Sequence, residues 1–133
     1  MPSNIKISEK IHMAVRLLSY LADSKTKKPK SLGEIAIEEG ASFYFLQKIS
    51  RLLAKNKLIA ATRGSRGGYR LTRPASKISL KEICEAIEGP LSLIDCANYK
   101  CCPSADCASK KLWANLNRKI EKTFSQIKLS DIL

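Results

Sequence analysis

Acidic side chains are scarce in this chain of 133 residues: 12 Asp and Glu stand against 24 Lys and Arg, a formal net charge of +12. Apolar runs are short. None approaches the roughly 18 residues that a membrane-spanning helix needs. The opening "MPSNIKISEK" is polar and lysine-bearing, without the apolar centre of a secretory leader. Cytoplasmic residence is therefore the expectation, and thiols are normally kept reduced there. Histidine occurs once, and no nucleophile motif accompanies it, so a Ser-His-Asp hydrolase has no foundation and no enzyme is expected. The glycines of "RGSRGG" lack the Gly-Lys-Ser/Thr ending of a phosphate-binding loop and its strand-to-helix setting. No Cys-x₂-Cys pair exists, which argues against the commonest zinc spacing.

What is present is a core, a lopsided charge and a cluster of thiols. Hydrophobic residues make up 44%, too many for a disordered polymer. Residues 1–73 hold 15 Lys and Arg against 5 Asp and Glu, a net of +10, whereas residues 74–133 hold 9 against 7, a net of +2. A basic excess confined to one half points to a polyanionic partner there, nucleic acid above all.

The periodicity supports that partner. Residues 8–22 carry Ile11, Ala14, Val15, Leu18 and Leu21 at steps of three and four, one helical stripe. The lysine-rich "DSKTKKPK" ends that helix. Ser31 and Glu34 form a capping-box pattern, Leu32, Ile35 and Ala36 supply a buried side, and Gly40 a stop. Ser42 is a second helix-start candidate. "FYFLQKISRLLAKNKLI" then reads as helix, with Phe45, Leu46, Ile49, Leu52 and Leu53 inward and Tyr44, Gln47, Lys48 and Arg51 outward. Two helices joined by a tight glycine turn are a helix-turn-helix, and the outward set suits a major groove. "LIAAT" and "GYRLT" read as two strands around the tip "RGSRG", flanked by Arg63 and Arg66. A basic hairpin in that place is a wing that can reach phosphates or a minor groove.

"SLKEICEAIE" begins with another capping box, Ser79 with Glu82. Leu80, Ile83 and Ile87 form its apolar face, and Cys84 reads as a small buried residue. "GPLSLID" breaks this helix. After the cysteines, "ASKKLWANLNRKIEKTFSQIKLSDIL" predicts one long helix with Leu112, Trp113, Leu116, Ile120, Phe124 and Ile127 at near-heptad steps, suited to a second copy of itself. The expected fold is mainly α with a small β wing. Residues 1–75 form a winged helix-turn-helix DNA-binding domain, and residues 76–133 a cysteine loop with dimerisation helices.

"CANYKCCPSADC", residues 96–107, concentrates four of the five cysteines. Spacings of Cys96-x₄-Cys101, Cys96-x₅-Cys102 and Cys102-x₄-Cys107 suit a bulky iron–sulfur cluster better than a single small ion. Adjacent Cys101 and Cys102 rarely both reach one centre, so three ligands and one spare are expected, with the fourth ligand from elsewhere in the protein, or water or a small molecule.

These elements together resemble the Rrf family of bacterial winged-helix regulators, which includes IscR-type and NsrR-type iron–sulfur sensors. The resemblance covers nearly the whole chain and rests on "SFYFLQKISRLLAKNKLI", the "RGSRGGYRL" wing, "SLKEICEAIEG", three cysteines and "KLW". It implies a homodimer on a palindromic DNA operator, joined through the long C-terminal helices, and a cluster, 2Fe–2S in preference to 4Fe–4S, whose state alters DNA binding. It places Ser42, Tyr44, Gln47 and Lys48 at the DNA-facing helix start, and Arg63, Ser65, Arg66 and Gly67 on the wing. Cys96, Cys102 (followed by Pro103) and Cys107 match the family's ligands. IscR-type members have a histidine three residues after the last cysteine, where this chain has Lys110, a poor ligand while protonated. Other members take the fourth ligand from helix 1 of the second subunit, which falls on His12 here. Two further readings stay open: a regulator of the same fold using thiol–disulfide chemistry among Cys96, Cys101, Cys102 and Cys107, and an interaction module with a zinc-bound loop.

Overall fold

The computed structural model describes residues 7–23, 31–62, 68–91 and 108–133. Helix α1 spans Glu9–Ala22, α2 Leu32–Glu39, α3 Phe43–Lys55, α4 Leu80–Glu88 and α5 Ala108–Gln126, with strands β1 (Ile59–Ala61) and β2 (Tyr69–Leu71) between α3 and α4. The fold is the expected one: mainly helical, with one two-stranded wing.

Serine starts each of the first four helices. The hydroxyls of Ser8, Ser31, Ser42 and Ser79 accept from the backbone N–H three residues on, satisfying a donor that the helix itself leaves unpaired. The reciprocal half of the second capping box is diverted: the Glu82 carboxylate pairs with Arg73 at 2.8 Å. Gly40 closes α2 at φ 62°, and Gly89 follows α4 at φ 84°, two positions where a side chain would be strained.

Helix α3 is shorter than its apolar pattern predicts. It stops at Lys55 in a Schellman motif, with Leu58 N–H donating to the Leu53 carbonyl and Lys57 N–H to that of Ala54, both at 3.0 Å. Lys57 holds the left-handed position usually given to glycine, φ 61°. Burial of Leu58 and Ile59 fixes the turn there. Lys57→Gly is expected to raise stability by up to about 1 kcal/mol, because glycine carries no Cβ penalty in this conformation. A urea-denaturation midpoint unchanged or lowered in the variant would contradict it.

Strands β1 and β2 pair antiparallel in the register Ile59↔Leu71, Ala60↔Arg70, Ala61↔Tyr69. One continuous core runs from Ile11 to Leu129 and takes side chains from α1, α2, α3, β1 and α4. Helix α1 packs on α3, α4 and β2. Being enclosed on several sides, it buries Met13 and Leu17 as well as Ile11, Ala14 and Leu18, while Val15 and Leu21 are only half-buried.

The C-terminal helix also ends early. After Gln126 the chain pairs with the start of α4: Leu80 N–H donates to the Ile127 carbonyl and Leu129 N–H to that of Ile78, each at 2.8 Å. Leu129 enters the core, and a 3₁₀ turn over Leu129–Ile132 finishes the chain. No described helix is long and apolar enough to cross a membrane.

Candidate nucleic-acid interface and cysteine segment

The helix-turn-helix forms as read. Leu46, Ile49 and Leu53 are fully buried and hold α3 on the core. Ser50 is buried beside them, its hydroxyl returned to the Leu46 carbonyl at 2.8 Å. Tyr44, Lys48 and Arg51 lie at steps of four and three, so one face of α3 presents all three, and all are exposed. Ser42 is exposed at the helix start and Gln47 is half-buried. The structure thus brings Ser42, Tyr44, Gln47, Lys48 and Arg51 together at the outer side of α3.

Two acidic side chains at the end of α2 are engaged by α1. Arg16 pairs with the Glu39 carboxylate and also donates to its carbonyl at 3.3 Å, and the Tyr20 hydroxyl donates to Glu38. These contacts fasten the last turn of α2 to α1, and Arg16 lies where a helix C-terminus favours a cation.

At the wing, Thr62 closes the base of the hairpin. Its N–H and hydroxyl both donate to the Gly68 carbonyl, at 2.8 and 3.0 Å, and Gly68 N–H returns to the hydroxyl at 2.9 Å. Arg63, Ser65, Arg66 and Gly67 lie outside the described residues. Arg70 is a further basic residue of the wing, outside the expected contact set. It sits exposed in the middle of β2, between half-buried Tyr69 and Leu71. The alternation in "YRL" is the signal that identifies it.

Cys96, Cys101, Cys102 and Cys107 also lie outside the described residues. Their flanks are held. Asn117 of α5, buried to 4% exposure, donates to the Leu91 carbonyl at 3.1 Å. Ser8 at the start of α1 donates to Glu88 at the end of α4, at 2.8 Å. The first turn of α1 therefore adjoins the helix that leads into the cysteine segment. His12 is exposed, one turn beyond Ser8. Lys110 is half-buried near the start of α5. Cys84 is buried, and burial, followed by the charges of Glu85 and Glu88, pushes its thiol up from the ordinary value. A buried, protonated thiol is a poor ligand. Among the described residues no group of three His, Cys, Asp or Glu converges on a metal position.

The family model for Rrf2, described as an iron-dependent transcriptional regulator, matches residues 7–133. This chain belongs to the Rrf2 family. It is a DNA-binding transcription regulator and not an enzyme. Among Rrf2 relatives, IscR of Xenorhabdus nematophila is 27% identical over 130 residues, covering 97% of this chain and 79% of the relative. The structure of CymR, the global cysteine regulator of B. subtilis, superposes with a TM-score of 0.80 at 25% identity, covering 97% of this chain and 96% of that one. The T. potens IscR structure gives 0.76 at 29% identity, covering 97% and 86%. Similarity thus extends over almost the full length, wing and long helix included.

Proposed function

We propose that this Rrf2 protein is a cytoplasmic homodimer that binds a palindromic DNA operator and whose affinity depends on an iron–sulfur cluster held by its cysteine segment. The observation that carries the DNA reading is the exposed Tyr44, Lys48 and Arg51 face of a core-anchored α3, followed directly by the wing. Ser42, Gln47, Arg63, Ser65, Arg66 and Gly67 complete the proposed contact set, with residues 1–75 as the DNA-binding part. Exposed Leu112, Leu116 and Ile127 on and after α5 support pairing of two copies through residues 76–133. Two-fold related recognition helices require two-fold related half-sites.

Three thiols with an exposed imidazole are a donor set that fits an iron–sulfur cluster, 2Fe–2S in preference to 4Fe–4S. Cys96, Cys102 and Cys107 would hold it, with His12 contributed across the dimer. A bound cluster supplies one-electron redox chemistry. The chain supplies the connection to DNA. Ser8–Glu88 and Asn117–Leu91 tie α1 and α5 to the end of α4, and α1 packs on α3. The likeness to IscR and the iron dependence in the family's description support this reading.

The likeness to CymR, described as a cysteine regulator, favours one alternative: thiol–disulfide chemistry among Cys96, Cys101, Cys102 and Cys107 on the same fold. Visible absorption of the anaerobically purified protein separates the two.

Operator affinity is expected to fall steeply with salt. Neutralising phosphates with Lys and Arg releases counterions, about 0.9 per contact, so six contacts cost roughly a thousandfold between 50 and 200 mM salt. Fluorescence anisotropy of a labelled duplex measures it. A flat profile would contradict the basic-face assignment.

A further inference from the structure

Two aromatic side chains stand at the first turn of α3 where a water-soluble helix gains nothing from them. Phe43 is 44% exposed and Tyr44 80% exposed, among the described large apolar and aromatic side chains left uncovered. Their rings meet edge to face, centroids 6.0 Å apart and planes at 76°. That contact fixes one ring against the other and presents an apolar surface beside the exposed cations Lys48 and Arg51. Stability does not require this surface, because α3 is already anchored by Leu46, Ile49 and Leu53 from its opposite side.

The occupant follows from the neighbours. The surrounding charge selects a polyanion, and the N-terminal residues of a recognition helix are those that reach base edges. In the major groove the base edges carry hydrogen-bond donors and acceptors, with a single apolar group among them, the 5-methyl of thymine. We propose that the Phe43–Tyr44 pair reads a thymine in each operator half-site through that methyl group. This inference rests on α3 being the recognition helix and adds what that helix prefers: an A·T pair facing its first turn, with the polar reach of Gln47, Lys48 and Arg51 directed at the base pairs alongside.

The test removes the methyl and nothing else. The full-length protein selects its operator from a random duplex pool, and each thymine of the selected site is then replaced by deoxyuridine in both half-sites. One symmetric pair of replacements is expected to weaken binding by about fourfold per half-site, the worth of one buried methyl. Tyr44→Phe should keep that sensitivity, since the ring remains. Phe43→Ala with Tyr44→Ala should bind thymine and deoxyuridine sites equally. Both side chains are partly exposed, so the fold survives these changes. If every thymine is replaceable at no cost while tight, sequence-selective binding persists, the thymine reading is overturned and the recognition helix stands. If Tyr44→Phe alone abolishes the methyl dependence, the hydroxyl and not the ring surface is responsible, and the inference fails. If no sequence is selected at all, α3 as a recognition helix falls, and this inference with it.

Discussion

Serine at Cys96, Cys102 or Cys107 is expected to strip the anaerobically purified protein of iron, sulfide and visible absorption, while serine at Cys101 or Cys84 leaves all three in place. The effect is large because a cluster is held cooperatively by its ligands: an alcohol is a far weaker iron donor than a thiolate, and a cluster with one bond missing is open to water. Cys84 is excluded on structural grounds. It lies in the core beside Ile83 and Ile87, at 1% exposure, with its thiol pushed toward the neutral form. Cys101 is separated from Cys102 only by the Cys-Pro pattern of related regulators, so these two variants decide the assignment. Loss in Cys101→Ser with retention in Cys102→Ser would reverse it. His12→Ala belongs to the same series. It leaves all three thiolates in place, with water or a small molecule to fill the fourth position, so it should retain iron and sulfide but change the visible and paramagnetic spectra of the reduced protein, because loss of the imidazole alters the potential of the iron it bound. An unchanged spectrum would remove His12 from the site.

Arg63→Ala is expected to weaken operator binding by roughly 1–3 kcal/mol, a loss of about 5- to 150-fold, if the guanidinium meets a base edge as the wing position implies. A control is built into the same region. Arg73, after β2, is engaged by Glu82 at 2.8 Å. Arg73→Ala removes an equal formal charge from a residue whose partner is already within the fold, so it should change affinity little. Equal losses in the two variants would mean that only overall charge matters. Wild-type affinity in Arg63→Ala would make the wing assignment wrong.

The parts of this fold legible in the sequence are those that local chemistry specifies. Ser31, Ser42 and Ser79 mark helix starts because a short hydroxyl serves a neighbouring backbone N–H, and Gly40 marks a stop because it accepts a positive φ. The two strands of the wing follow from alternation in "LIAAT" and "GYRLT". Longer-range contacts decided what the pattern missed. Nothing in "KNKLI" says that Lys57 takes the left-handed position. Burial of Leu58 and Ile59, and the Asn56 side-chain amide reaching the Leu52 and Ala86 carbonyls, put it there. The pairing of Ser79 with Lys128 joins segments far apart in sequence, so the last seven residues read as helix when they leave it. Asn117 lies outside the apolar stripe expected for α5 and is buried, its amide serving the Leu91 carbonyl. Tyr44, Lys48 and Arg51 on the outward face of α3 were legible, since 3.6-residue periodicity fixes which side remains once the core side is known, whereas Gln47 is half-buried and exposed Phe43 stood outside the expected outward set. The cysteine ligands rest on spacing and resemblance, and the described residues supply only their flanks.

The central claim is that the cysteine segment controls the DNA face. It is tested most directly by measuring operator affinity, without oxygen and at fixed salt, for one preparation of the protein before and after chelation removes its iron. The account predicts visible absorption that disappears with the iron and an operator affinity that changes by at least about tenfold, equivalent to roughly 1.4 kcal/mol of coupling. Equal affinity for the same duplex in the two states, with iron and sulfide shown to be present in one and absent from the other, would contradict it.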